Sequence, residues 1–237
     1  MRNLDLIDLQ TMPALDTFPN FTFLPQENVV AKLFISNAVI SVVPPTGLHN
    51  LPNLKHLAMS GVGLTEFPDL SRQFGSLNVL SLTYGKLRSI PDQVFSNLPL
   101  YSLNLARNEL SEIPALTPLL PELKTLILSQ NNFGDVPCQT LLDILVSAPK
   151  LNHIDFTETG LRTFPDIFQL NNSFNHVYIF NGQTMHCDCA MKWMINLESQ
   201  VFTNIRGSSK PCASPERIAN IQWSDITIDD LCQGKWM

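Results

Sequence analysis

The sequence predicts an α/β solenoid: a stack of short turns, each adding one strand to a parallel sheet on the concave face of a curved horseshoe, closed at its C-terminal end by a cysteine-bearing cap. Three observations predict it. The pattern LxxLxLxxxxLxx[IFV]P, with apolar substitutions, occurs six times. Proline is frequent, at 17 residues against 10 glycines, and falls at the end of each copy. Four of the five cysteines follow the last clear copy.

The copies begin at Val30, Leu54, Leu77, Leu100, Leu123 and Leu151, in steps of 24, 23, 23, 23 and 28 residues, with degenerate copies starting at Leu4 and Phe174. Within LxxLxL the second and third apolar residues alternate with outward ones, which is strand periodicity. One strand per turn stacks into a parallel sheet, and the column Leu57, Leu80, Leu103, Leu126, Ile154 faces one continuous core. The Ile-Pro or Phe-Pro step ends the inward stretch and starts the convex return. Steps of 23 residues leave room there for extended or 3₁₀ segments. The longer step holds "CQTLLDILVSAPK", where Leu141, Leu142 and Leu145 stand at helical spacing and predict a helix. No turn buries its apolar face alone, so stability comes from stacking.

This array resembles the leucine-rich repeat family. The likeness covers roughly residues 4–182, within a repeat region of 1–182 with about eight turns, the first and last degenerate. The family usually carries Asn at the ninth position, where its amide serves backbone groups of adjacent turns. Asn108 and Asn131 fit, but Ala38, Val62, Gly85 and Thr159 fill the other slots. The asparagine ladder is therefore broken, and water or shifted backbone is expected to satisfy those groups.

Residues 183–237 are expected to form the cap. Their cysteines are spaced C-x-C-x₂₂-C-x₁₉-C. Structural zinc favours C-x₂₋₄-C and a redox pair C-x-x-C, so the tight C-x-C suits neither well, although spacing alone leaves zinc as a rival, with His186 or His176 assisting. Trp193 and Leu197 share one face of a predicted helix that covers the core edge, with Asp188 as its N-cap. Ser214 and Pro215 look like the start of a second helix. The run from "CASPE" to "DLC" resembles the C-terminal cysteine cap of extracellular leucine-rich repeat proteins. That resemblance implies pairing of the first cysteine with the third and the second with the fourth, Cys187–Cys212 and Cys189–Cys232, and hence an oxidising, extracellular compartment. Cys138 is left over, either a small buried residue on the convex side or the site of an intermolecular disulfide. The sequons at Asn20 and Asn171 fit a secreted history. No metal or cofactor is assigned.

A formal charge of -6 and the lack of a basic cluster argue against nucleic acid. No apolar run reaches the roughly 18 residues that span a bilayer. "MRNLDLIDLQ" carries Asp5 and Asp8 where a secretory leader would be apolar, so an extracellular location expects this chain to be part of a longer one. The unpaired N-terminal edge is open to self-association. There is no Ser/His/Asp constellation on a strained nucleophile turn and no phosphate-cradling glycine loop, so the chain reads as a non-enzyme.

In the resembled fold the outward strand positions form the concave face. The candidate ligand-binding residues there are Phe34, His56, Val79, Tyr84, Asn104, Arg107, Ile127, His153, Asp155, His176 and Tyr178. Aromatic groups among small hydroxyls suit a protein-binding surface. The expected function is recognition of a protein ligand or co-receptor, as in adhesion, guidance or innate-immune receptors; the alternative is a secreted matrix protein of the small leucine-rich type. Equivalent positions on neighbouring strands lie about 4.8 Å apart. His153, His176 and Asp155 are therefore expected to gather at the C-terminal end of the concave face, as a pH-sensitive or metal-assisted edge or as a solvated polar patch.

Overall fold

The computed structural model describes residues 5–10, 13–20, 29–70, 74–170, 174–179, 185–195, 197, 212–219 and 221–232. Among these residues one parallel sheet runs in chain order through β1 (Leu6–Leu9), β2 (Lys32–Ser36), β3 (His56–Ser60), β4 (Val79–Thr83), β5 (Ser102–Asn104), β6 (Thr125–Ile127), β7 (His153–Asp155) and β8 (His176–Tyr178). The register is constant: Lys32, His56, Val79, Ser102, Thr125, His153 and His176 lie side by side. Leu6 pairs with Lys32, which places the degenerate first copy in the same frame as the others.

Strand alternation sends two apolar columns inward. Leu33, Leu57, Leu80, Leu103, Leu126 and Ile154 form one; Ile35, Met59, Leu82, Leu105, Leu128 and Phe156 form the other; all are buried. Each such side chain contributes about 1.5–3 kcal/mol on leaving water. The apolar residue before each proline lies at the far wall, where Phe67 meets Phe95 edge to face at 5.7 Å and Phe164 meets Phe156 at 5.6 Å. The long turn carries α1 (Cys138–Ser147), which buries Leu141 and Leu145 while Leu142 stays half-buried. Cys138 opens that helix half-buried, and burial pushes its thiol pKa up.

Where the ninth residue is Asn, its amide joins adjacent turns. Asn108 Nδ2 donates to Leu82 O at 2.8 Å in the preceding turn and to Leu105 O at 3.0 Å in its own, and its Oδ1 accepts from Leu87 N at 3.2 Å. Asn131 repeats this one turn on, to Leu105 O, Leu128 O and Leu110 N. Thr159 is a shorter substitute whose hydroxyl donates to Phe156 O at 2.7 Å. Main-chain bonds beyond the strands join the turns whether or not they carry that Asn: Lys86 N donates to Leu64 O at 2.7 Å, Glu109 N to Leu87 O at 2.8 Å and Asn132 N to Leu110 O at 2.8 Å. Gly85 makes room for its neighbour, since a Cβ there would stand 2.6 Å from Asn108 Oδ1.

Beyond β8, β9 (Met185–His186) and β10 (Cys212–Ser214) pair in parallel. Cys187 is bonded to Cys212 and Cys189 to Cys232. The segment Cys189–Met194 is a 3₁₀ helix rather than the expected α-helix, with Asp188 accepting from Ala190 N at its start. Ser214 is not a helix cap: it ends β10, and the 3₁₀ turn Glu216–Ile218 begins after Pro215 with no side-chain cap. Trp193 Nε1 donates to Phe164 O at 3.1 Å, which ties this segment to the last full turn. A short helix, Ile228–Cys232, starts on a reciprocal pair in which Thr227 N donates to Asp230 Oδ2 at 2.8 Å and Asp230 N to Thr227 Oγ1 at 3.2 Å.

Two outcomes follow from this packing. Asn108→Ala strands a buried carbonyl and a buried amide and is expected to destabilise by about 3 kcal/mol in denaturant melts. Gly85→Ala should also destabilise, but much less in the Asn108→Ala background, because the clash is with the Asn108 amide; equal effects in both backgrounds would contradict the contact. Among the described residues β1 pairs with β2 alone, and it alternates exposed and half-buried residues. Its amides should exchange with solvent faster than those of β4 to β6 in hydrogen-exchange mass spectrometry, and equal protection would count against a weak N-terminal edge.

Candidate functional site

Outward strand positions form two parallel rows on the concave face. The first is Lys32, His56, Val79, Ser102, Thr125, His153, His176. The second is Asp8, Phe34, Ala58, Ser81, Asn104, Ile127, Asp155, Tyr178. Nine of the eleven residues singled out from the sequence thus stand on the strands. Neighbouring side chains in each row shade one another, so Phe34, His56, Val79, Asn104, Ile127, His153, Asp155 and Tyr178 are half-buried while His176 is exposed.

The remaining two lie past the strand ends, Tyr84 directly after β4 and Arg107 three residues after β5, with backbones in the left-handed region at φ 54° and 58°. Asn37, Gly61, Gln130 and Glu158 occupy the same repeat position with φ between 54° and 65°. The sequence reading placed this position on the sheet and missed the left-handed column. Gly61 and Asn37 were the available signal, since these residue types tolerate positive φ. The Arg107 guanidinium sits 4.4 Å over the Tyr84 ring, and Gln130 Nε2 donates to Glu158 Oε2 at 2.7 Å.

At the C-terminal end the His153 and His176 rings are 5.2 Å apart, and His153 is 6.2 Å from the Tyr178 ring. Burial holds the His153 pKa below the ordinary imidazole value, the neighbouring His176 lowers it further, and Asp155 opposes both. Asp155 Oδ1 also accepts from Thr157 N at 2.9 Å, just as Asn104 Oδ1 accepts from Ala106 N at 3.0 Å, which fixes both side chains at the strand ends. At the other end burial lowers the His56 pKa, followed by repulsion from Lys32 and Lys55.

Among the described residues no group of three or more His, Cys, Asp or Glu side chains is placed to hold a metal ion, so the histidine pair has no third ligand there. No helix among them is long and apolar enough to cross a membrane. Asn20 is exposed, while Asn171 lies outside the described residues. Sequence reasoning found no Ser/His/Asp set, yet Ser214 Oγ lies 2.7 Å from His186 Nδ1 and Asp188 Oδ2 lies 3.9 Å from His186 Nε2. The second distance exceeds a hydrogen bond and Asp188 already caps the 3₁₀ helix, so the set joins β9 to β10 and is no catalytic triad.

His153 is held neutral more strongly in the folded chain than in the unfolded one. Between its lowered folded pKa and about 6.5 the unfolded chain binds more protons. The contribution to stability is fully present above that unfolded value and is lost as the pH falls from there through the folded one. In an NMR titration His153 should show a midpoint below about 6.5 that rises when His176→Ala removes its neighbour. A His153 midpoint that His176→Ala leaves unchanged would contradict the effect of its neighbour.

Comparisons with known proteins fit this geometry. A family model described as Leucine rich repeat matches residues 75–133. Leucine-rich repeat-containing G-protein coupled receptor 5 of Rattus norvegicus is 38% identical over 80 residues, 33% of this chain and 9% of that protein. Its Xenopus tropicalis counterpart is 30% identical over 105 residues, 44% of this chain and 11% of that protein. The match thus spans about a tenth of the length of these relatives. The solved structure of human 5T4 (Wnt-activated inhibitory factor 1, trophoblast glycoprotein) superposes with a TM-score of 0.57 at 20% identity, covering 91% of this chain and 92% of that one, a likeness of fold. With its repeat, its parallel solenoid and these likenesses, the chain has the leucine-rich repeat fold.

Proposed function

We propose that this chain is an extracellular protein-recognition module that binds a protein ligand or co-receptor on the concave face of its sheet, with residues 183–237 acting as the C-terminal cap of the repeat region. The observation that carries the reading is the outward row structure. Phe34, Val79, Ile127 and Tyr178 stand on every second strand, β2, β4, β6 and β8, among small hydroxyls and beside an exposed Tyr84–Arg107 pair. A flat partner can touch several strands at once there, and the mixture of aromatic, aliphatic and Arg groups suits a protein interface. Two disulfides support an oxidising compartment, and relatives named as receptors support an ectodomain-like role.

Tyr84, Arg107 and Ile127, on adjacent turns near the middle of the array, form the centre of the proposed site. The test is a screen of the purified chain against an array of extracellular protein domains, followed by affinity measurement. Combined Tyr84→Ala, Arg107→Ala and Ile127→Ala substitutions should weaken binding about tenfold or more without loss of folding. Unchanged affinity would move the site to the convex side or the cap.

A further inference from the structure

Six successive turns place their eighth residue in the left-handed region: Asn37, Gly61, Tyr84, Arg107, Gln130 and Glu158. The cause is a backbone ladder that continues past the strands. Asn37 N donates to Ser60 O at 3.0 Å, Gly61 N to Thr83 O at 2.9 Å, Tyr84 N to Ala106 O at 3.2 Å, Arg107 N to Ser129 O at 2.8 Å and Gln130 N to Thr157 O at 2.8 Å. The conformation is therefore set by the main chain, whatever side chain the position carries. Gly and Asn adopt it most easily, and the first two turns use them. The next four turns carry Tyr, Arg, Gln and Glu, for which a positive φ is strained. Packing does not require these four: Tyr84 is 54% exposed, Arg107 and Glu158 are exposed, and Gln130 is half-buried.

We propose that this column, on the edge of the sheet where the strands end, determines which partner the concave face accepts, and that its Tyr84–Arg107 pair seats a carboxylate of the partner flanked by an apolar side chain. The proposal rests on the concave-face reading above. The guanidinium lies against the Tyr84 ring, and among the described residues no carboxylate is within ion-pair distance of it. Stacking on an aromatic face leaves the in-plane N–H groups of an Arg free for a two-point bond to a carboxylate. The Tyr84 ring beside it offers apolar surface. The next two members bond to each other, Gln130 to Glu158, and continue the rim beyond Arg107 with an acidic end that disfavours a uniformly acidic partner.

The test compares the wild-type chain with variants in which Asn replaces the column: Tyr84→Asn, Arg107→Asn, Gln130→Asn and Glu158→Asn, singly and together. The expected melting temperature of the quadruple variant equals or exceeds that of the wild type, since Asn relieves the strained positions. A fall of several degrees would make the column structural and overturn the proposal. The binding probe is a phage-displayed library of random peptides selected on the wild-type chain. Enriched peptides should carry Asp or Glu beside an apolar residue and bind Arg107→Asn about tenfold more weakly. Peptides that lose binding on Ile127→Ala or Tyr178→Ala but not on the Asn variants would overturn this proposal and leave the concave-face reading standing. A selection yielding no peptide dependent on either set would count against both.

Discussion

No turn of this chain can shield its own apolar side chains or complete its own backbone hydrogen bonds, and everything else in the structure depends on that constraint. Each turn presents inward residues that are buried only by the turns beside it, and each strand finds its partners only in its neighbours. Identical register between successive strands is the solution, because a slip of one residue would turn the inner columns outward. The result is a sheet in which Leu103 lies between Leu80 and Leu126, and Ser102 between Val79 and Thr125.

The same constraint creates the candidate site. When the inward positions are committed to the core, the outward ones are released from packing, and equal register gathers them into rows. Residues far apart in sequence, such as His153 and His176, become immediate neighbours whose rings lie 5.2 Å apart. The main-chain ladder also runs on past the strands, and its geometry forces the left-handed column. A demand of stacking thereby fixes where Tyr84 and Arg107 project.

Stacking also needs an end. Beyond β8 the described residues form two short strands, 3₁₀ turns and the helix Ile228–Cys232, which covalent links join to one another and a side chain joins to the turn before. Cys187–Cys212 and Cys189–Cys232 restrict these segments, and Trp193 reaches back to Phe164 O. Met191, Met194 and Trp223, on the described 3₁₀ turns, are buried in the same apolar core as the inner columns.

The sequence by itself determined the solenoid, the strand positions and the inner columns, because spacing of apolar residues states directly which side chains must leave water. Within the repeats it also predicted a helix in the long turn, where α1 lies, and that the ninth position could not be an unbroken asparagine ladder. The disulfide pairs were legible only through resemblance, since spacing alone left zinc as a rival. Tertiary structure decided the rest. Whether Cys189–Met194 is α or 3₁₀, which carbonyls Asn108 reaches, and that Gly85 must lack a side chain depend on distances between turns that no local pattern encodes. The left-handed setting of Tyr84 and Arg107 belongs to the same class: their residue types argue against it, and only hydrogen bonds to the next turn impose it.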